Sequence, residues 1–348
     1  MLSRLRDEIA RADGWISFAR YLELVLHEPG LGYYAGRARK FGAEGDFVTA
    51  PELGSLFGRT LARQLSQIDW PVLEFGAGSG ALAESLLGRA GREYSILETS
   101  ADLRERQQAR LADRVRWLER LPERIRGWVV ANEVLDAMPV HAVAWRPEGI
   151  MERGVSLAGG KLAWNERPAT GALLEEAQKI EVPVPYESEM GLVARAWMRA
   201  LAERLEEGVI FIIDYGFPRH EYYHPQRASG TLMCHHRHQA HGDPFAHPGE
   251  QDVTAHVDFS ALAQAAAGAG LEVLGYATQA QFLVNCGITE VLGEANVENA
   301  LHYAPLAAQA QKLLSPAEMG ELFKVLAVGR DVKGPLRGFT RGDRSASL

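Results

Sequence analysis

Three groups of residues in this chain have types and spacing suited to chemistry. The first lies in VLEFGAGSGAL, Val72 to Leu82, where an apolar run enters Gly76, Gly78 and Gly80 and a helical pattern follows at once. Glycine lets the backbone turn tightly and approach a ligand with no Cβ in the way. The helix start offers unpaired N–H groups to a negatively charged or polar ligand. Glu98 closes the next apolar run, in SILETS. A carboxylate about twenty residues past such glycines can accept hydrogen bonds from both ribose hydroxyls. Turn and carboxylate together indicate a nucleoside-containing cofactor, against the alternative of a turn required only for packing. Gly76-x-Gly78-x-x-Ala81 also satisfies the dinucleotide pattern, so a nicotinamide or flavin stays open. Two details favour S-adenosyl-L-methionine. Gly80 tightens the turn to G-x-G-x-G, and Glu74 stands two residues before it, where a carboxylate suits a cationic ligand and would repel a pyrophosphate.

The second group is WVVANEVLDAMPVH, residues 128–141, with Asn132, Glu133 and Asp136 at the end of an apolar run. Open α/β sheets bind ligands at the carboxyl ends of their strands. A helical turn starting here would put Glu133 and Asp136, three apart, on one face. Paired carboxylates can hold a guanidinium, orient it and take up its proton. The blander alternative is helix capping. Asp214, at the end of VIFIID, is a similar acidic strand end, or a plain turn residue.

The third group is histidine-rich. His235, His236, His238, His241, His247 and His256 fall within residues 230–259, with Cys234 directly before the first pair. One cysteine and no second pair fit no structural zinc spacing, so no metal is expected. His235 and His236 read as decorating a strand or its edge. His256, in DVTAHVDF beside Asp252 and Asp258, is a candidate for acceptor positioning or proton transfer, or for a structural hydrogen bond.

The elements that must position these groups follow from periodicity. Residues 1–28 and Leu53 to Ile68 read as helices. Short apolar strands alternate with helices from Val72 to Ala131 and again from Val209 to Val328, which predicts a parallel α/β sheet. Between them, HAVAWR, MERGVSL and KLAWNE look like antiparallel strands, with Gly159-Gly160 as a hairpin turn, and residues 170–207 read as largely helical, broken by VPVPYES. The expected organisation is a helical N-terminal segment with a cofactor or substrate loop (1–60), a core (61–140 and 208–330), an inserted α+β subdomain (141–207) and a disordered Gly-, Arg- and Ser-rich tail (331–348).

Length and composition agree. A chain of 348 residues, 47% hydrophobic and 24% charged, is globular and can bury a large core. The net charge of −8 advertises neither nucleic acid nor anionic lipid as a partner. No run of eighteen apolar residues predicts a membrane span, and two cysteines suit a reducing compartment.

The chain resembles the MidA family of methyltransferases, whose mitochondrial members assist assembly of respiratory complex I. The likeness runs through GYYAGRARKFGAEGDFVTAPELGSLFG, LEFGAGSGAL, ANEVLDAMPVH, IDYGF, the histidine-rich stretch and MGELFKVLAVGR. It implies a class I S-adenosyl-L-methionine-dependent methyltransferase fold: a seven-stranded, mostly parallel sheet whose antiparallel last strand is FKVLAV. It also implies methylation of arginine on a protein acceptor, with a respiratory-complex subunit as a candidate. It places the glycines at the methionine part of the cofactor, Glu98 at the ribose, and Asn132 and Glu133 beneath the sulfonium. Asp46, in the G-D-F element, is expected to fold over the cofactor or acceptor. His235 and His236 depart from the aromatic or arginine that the family pattern leads one to expect. The pattern begins near Trp15, which fits a bacterial cytoplasmic protein without a mitochondrial presequence. A small-molecule O- or N-methyltransferase, or an assembly factor that uses its cofactor pocket little, are the other readings.

Overall fold

The computed structural model describes residues 1–35, 49–87, 92–296 and 298–348. Apolar spacing builds the first helices. In α1 (Leu2–Arg11) the i, i+4 pair Leu5 and Ile9 is buried, and in α2 (Phe18–His27) Phe18, Tyr21, Leu22 and Val25 turn one face inward. Ser17 accepts from Arg20 N and caps α2. It belongs to the two-residue strand β1 (Ile16–Ser17). Helix α3 (Ser55–Leu65) follows.

The first α/β run comprises β2 (Val72–Phe75), α4 (Ala81–Leu87), β3 (Tyr94–Leu97), α5 (Ala101–Leu111), β4 (Arg116–Leu118) and β5 (Ile125–Asn132). Then come β6 (His141–Arg146), β7 (Gly149–Ala158), β8 (Lys161–Pro168), α6 (Gly171–Ala177), β9 (Tyr186–Met190) and α7 (Leu192–Arg204). The chain continues with β10 (Leu205–Phe217), α8 (Arg219–Tyr222), β11 (Met233–His236), β12 (Gln239–His241), β13 (Asp252–Thr254) and β14 (Val257–Asp258). It closes with α9 (Phe259–Gly268), β15 (Glu272–Thr278), α10 (Gln279–Asn285), α11 (Ile288–Gly293), α12 (Ala300–Leu314), α13 (Met319–Leu322) and β16 (Phe323–Arg330).

The main sheet has the order β4-β3-β2-β5-β10-β16-β15, with short β14 added beside the end of β10. Its neighbours are parallel from β4 to β10, and β16 runs antiparallel to both β10 and β15. This is the expected seven-stranded arrangement with FKVLAV as the antiparallel strand. One face packs under α3, α4 and α10 to α12, the other under α7 and α9. Chain order reverses between β2 and β5, the place where an open α/β sheet leaves a crevice at its carboxyl edge.

A second sheet, with the order β1-β7-β6-β9 and β8 beside β7, is antiparallel throughout. Gly159 (φ 57°) and Gly160 (φ 79°) close the β7–β8 hairpin. Helices α1 and α2 share a core with this sheet and with Cys234 and Val253 of a third, three-stranded sheet, β12-β11-β13. Two expectations change here. Residues 186–190 form an edge strand because β6 offers them an antiparallel partner, Val143 opposite Ser188. Helix α7 buries Met198, Leu201 and Ala202 in the core of the main sheet, not in the antiparallel piece. Among the described residues no helix is long and apolar enough to cross a membrane.

The tail also differs from the disorder expected of it. Leu336 and Phe339 are buried, and Phe339 lies against Phe282 and Phe211 with ring centroids 5.4 and 6.4 Å away. Asp343 Oδ1 accepts from Tyr276 N at 3.0 Å, and Arg344 N donates to Tyr276 O at 2.6 Å. Two apolar anchors in a polar, glycine-rich run suffice to order it. Phe339→Ala should therefore cost about 3–5 kcal/mol of folding stability, the range for truncating a buried aromatic. Urea denaturation reads this directly; an unchanged midpoint would show that the tail does not pack.

Candidate active site

At the carboxyl edge of the main sheet lies a cavity of about 850 Å³, within the usual size for ligand sites of roughly 300–1,000 Å³. The ends of β2, β3 and β5 supply its floor. The segments around Tyr34 and Pro51 and the side chain of Trp197 from α7 supply walls.

Strand β2 delivers Glu74 and then the glycine turn. Gly76, Gly78 and Gly80 have φ of 59°, 54° and 84°, a region that side chains with a Cβ rarely adopt. A Cβ on Gly76 would stand 3.0 Å from Val134 Cγ2, so the turn can lie close to the loop after β5 only as glycine. Glu74 lines the cavity, but Tyr94 Oη donates to its Oε2 at 2.6 Å. Burial pushes the Glu74 carboxyl up to about 7, against the pull of that hydrogen bond. Glu98, at the end of β3, accepts from Ser100 N at 2.8 Å and from Gln107 Nε2 at 3.0 Å. Burial raises its pKa while these donors lower it.

Strand β5 delivers the acidic part. Residues 133–136 form no helical turn, which corrects the expectation that Glu133 and Asp136 share a helix face. Glu133 has φ 52°, an uncommon conformation for a non-glycine residue that costs on the order of 1–2 kcal/mol. Its N–H donates to Ile213 O of β10 at 2.8 Å, which holds it there. Both side chains reach the cavity all the same. Glu133 Oε1 accepts from Ala50 N at 3.1 Å and Asn132 Nδ2 at 3.2 Å. Burial, then the charge of Asp136, raises the Glu133 carboxyl to about 8. Asp136 Oδ2 accepts from Tyr215 Oη at 2.6 Å, while among the described residues its buried Oδ1 meets no donor at hydrogen-bond geometry. Burial raises it to about 6, with the Tyr215 hydroxyl lowering it. Asn132 Oδ1 is likewise buried without a partner among the described residues.

Asp214 does not face the cavity. Its Oδ2 accepts from the N–H groups of Leu135 (2.9 Å) and Asp136 (3.3 Å), and its Oδ1 from Tyr215 N (2.9 Å). Burial raises its pKa well above the usual range, and the neighbouring Asp136 and Glu133 charges add to that. Its effect on the site runs through the loop it holds.

The N-terminal segment covers the cavity. Glu52 accepts from Ser79 Oγ in the glycine turn. Tyr34 lines the cavity and its hydroxyl donates to Asp252 Oδ1 at 2.8 Å, whereas Tyr33 belongs to the adjacent core. Asp46 lies outside the described residues. His256 is not on the cavity wall. Its ring stacks on Phe217 (5.3 Å, 6°) and meets the edge of Tyr215, behind Asp136. Burial depresses its pKa to about 4, so the ring is neutral at pH 7. His235 and His236 sit on β11 as expected, and His236 stacks on His247 at 4.1 Å. Among the described residues no three His, Cys, Asp or Glu side chains gather as a metal site would require.

Sequence reading alone missed Gln107, Glu52 and Tyr215. Each acts through a partner far away in the chain; only the position of Tyr215, directly after the acidic strand end, offered a signal.

Sheet order, switch-point cavity and glycine turn define a class I methyltransferase. A family model for S-adenosyl-L-methionine-dependent methyltransferases matches residues 56–277, more than half of the chain, and the chain belongs to that family. A crystal structure from Burkholderia thailandensis, bound to S-adenosyl-homocysteine, is 51% identical with a TM-score of 0.96, covering 100% of this chain and 96% of that one. The protein arginine methyltransferase NDUFAF7 homolog, mitochondrial, of Drosophila melanogaster is 28% identical, with 98% of this chain and 88% of the relative covered. The Danio rerio protein arginine methyltransferase NDUFAF7, mitochondrial, is 29% identical, with 94% and 86% covered. The methyl donor is therefore S-adenosyl-L-methionine.

The raised carboxyl of Glu133 makes stability depend on pH. The folded state holds this proton more tightly than the unfolded chain. The stability gained is fully present below the unfolded value of 4.5 and is lost as pH rises through about 8. Glu133→Gln keeps an acceptor for Ala50 and Asn132 but cannot ionise. It should gain about 3–4 kcal/mol over the parent on going from roughly pH 5 to pH 8.5. Paired urea melts at the two pH values measure this, and an equal difference at both would refute burial of the charged form.

Proposed function

We propose that this methyltransferase methylates an arginine guanidinium on a protein acceptor. One observation carries the reading. Glu133, Asp136 and Asp214 gather within one loop and its support, and among the described residues no Lys or Arg pairs with any of them. Buried carboxylates without a cation are costly, and a guanidinium entering the cavity supplies the missing charge. The relatives named protein arginine methyltransferases support the same acceptor.

The residues fit the methyl donor. The turn from Gly76 to Gly80 presents backbone without side chains at the cavity, Glu98 keeps acceptor capacity for ribose hydroxyls, and the orphaned Asn132 Oδ1 can accept from an ammonium. When bound, S-adenosyl-L-methionine supplies a methyl group on a sulfonium. In this reading the glycines hold its methionine end and Glu98 its ribose, with Glu74 shaping the turn beside them. Asp136, ionised first and fixed by Tyr215, anchors the guanidinium through Oδ1. Glu133 receives the proton that the attacking nitrogen loses, at Oε2, the oxygen to which no described residue donates. Asp214 holds the backbone of Leu135 and Asp136, Ile213 O holds that of Glu133, and His256 packs behind Tyr215. Glu52 and Tyr34 close the cavity so that attack proceeds without competing water. Positioning of the two reacting atoms at about 3–3.5 Å is the main demand on the protein.

Purified enzyme with a labelled methyl donor and cell extract tests the acceptor. Label should appear in protein, as methylarginine after hydrolysis, and Glu133→Gln should slow it by about 10²–10⁴-fold, as loss of a general base does. Label confined to small molecules, or a fully active E133Q enzyme, would overturn this reading.

A further inference from the structure

Helix α5 carries Gln107, fully buried beneath the cavity floor. Its amide orientation is fixed by its neighbours. Trp117 Nε1, a pure donor, gives its proton to Gln107 Oε1 at 3.1 Å. The amide nitrogen therefore faces the other way. It donates to Gly78 O and to Glu98 Oε2, both at 3.0 Å. Every polar atom of this side chain is used, and each bond reaches a different strand end or turn: Gly78 after β2, Glu98 after β3, and Trp117 on β4.

The arithmetic at Glu98 is informative. An ionised carboxylate has about four acceptor sites. Ser100 N takes one on Oε1 and Gln107 takes one on Oε2. The Thr99 N–H also bonds this carboxylate, and the acceptor capacity that remains can take a donor from the ribose diol. The second amide proton pins the carbonyl of Gly78, the middle glycine of the turn that faces the methionine end. Gln107 is thus the one described side chain bonded to both halves of the cofactor cavity.

We propose that Gln107 is a positioning residue for cofactor recognition: it sets Glu98 in the orientation that reads the ribose diol and ties that carboxylate to the glycine turn. This rests on the reading of Glu98 as the ribose-binding residue. A side chain that only filled space would support all ligands of the cavity alike, whereas this role predicts a loss confined to recognition of the diol.

Isothermal titration with S-adenosyl-homocysteine and with its 2′,3′-dideoxy analogue separates the two. The parent protein should prefer the diol ligand by about tenfold or more, as expected for hydrogen bonds to a charged group. In Gln107→Met that preference should fall to about threefold or less, with affinity for the dideoxy analogue changing little. An equal weakening of both ligands, preserving the ratio, would overturn the role of Gln107 alone. A parent protein that does not distinguish the ligands would overturn the reading of Glu98 and the inference with it. Should Q107M fail to fold, Trp117→Phe frees the amide oxygen while leaving both amide protons in place. A reduced ratio in that variant supports the role, and an unchanged ratio removes it.

Discussion

The acidic end of the cavity depends on one buried carboxylate. Asp214 lies inside β10, out of contact with water, and three backbone N–H groups are its donors. Desolvating a carboxylate costs several kcal/mol unless hydrogen bonds offset it, so Asp214 and the loop 135–136 stabilise each other. Without it, two buried N–H groups would lose their acceptor in a stretch that has no helix or strand of its own to satisfy them. The strained backbone of Glu133 is tolerated for the same reason. Its own N–H is taken by Ile213, the residue directly before Asp214, and a conformation that the chain would avoid in isolation is held from both sides by β10.

The remainder of the chain is arranged around that edge. The N-terminal helices, the antiparallel sheet and the histidine-rich sheet share one core, separate from those on the two faces of the main sheet. From this second body, Tyr34 reaches the cavity wall with its hydroxyl bonded to Asp252, and Ala255 N donates to Asp136 O. Ala50 N and Glu52 dock on Glu133 and Ser79, one contact at the acceptor end and one at the glycine turn. The segment before α3 thus senses both ends of the cavity at once.

Local patterns were legible in the sequence, and long-range braces were not. The run VLEF, the glycines after it and Glu98 declare themselves because their meaning depends on spacing along one stretch of chain. The same holds for FKVLAV as the last strand. Glu133 and Asp136 were legible as cavity residues but not in their geometry: a helical turn was the local expectation, and β10, some eighty residues away, imposes a different backbone. Gln107 reads as a surface residue in the polar helix ADLRERQQARL; only the placement of Trp117 and Gly78 turns it inward. His256 showed the opposite failure. Its acidic neighbours in sequence suggested chemistry, while its neighbours in space are the aromatic rings of Phe217 and Tyr215. The tail looked disordered because composition averages over a segment, and two buried side chains are enough to decide its fate.

Charge orders the remaining two carboxylates. Asp136 receives a short hydrogen bond from the Tyr215 hydroxyl, and Glu133 receives two longer ones, from the N–H groups of Ala50 and Asn132. Burial pushes both carboxyls up; the Tyr215 hydroxyl holds Asp136 back to about 6, while the charge of Asp136 lifts Glu133 further, to about 8. The first ionisation then opposes the second, because the two charges share a buried loop. Environments that push neighbouring carboxyls apart in this way divide their labour. In the proposed reading the group that ionises first holds the cation. The group that ionises last, close to neutrality, then suits the role of proton acceptor. A guanidinium drawn in by Asp136 would lower the cost of ionising Glu133, readying the base when the acceptor is in place.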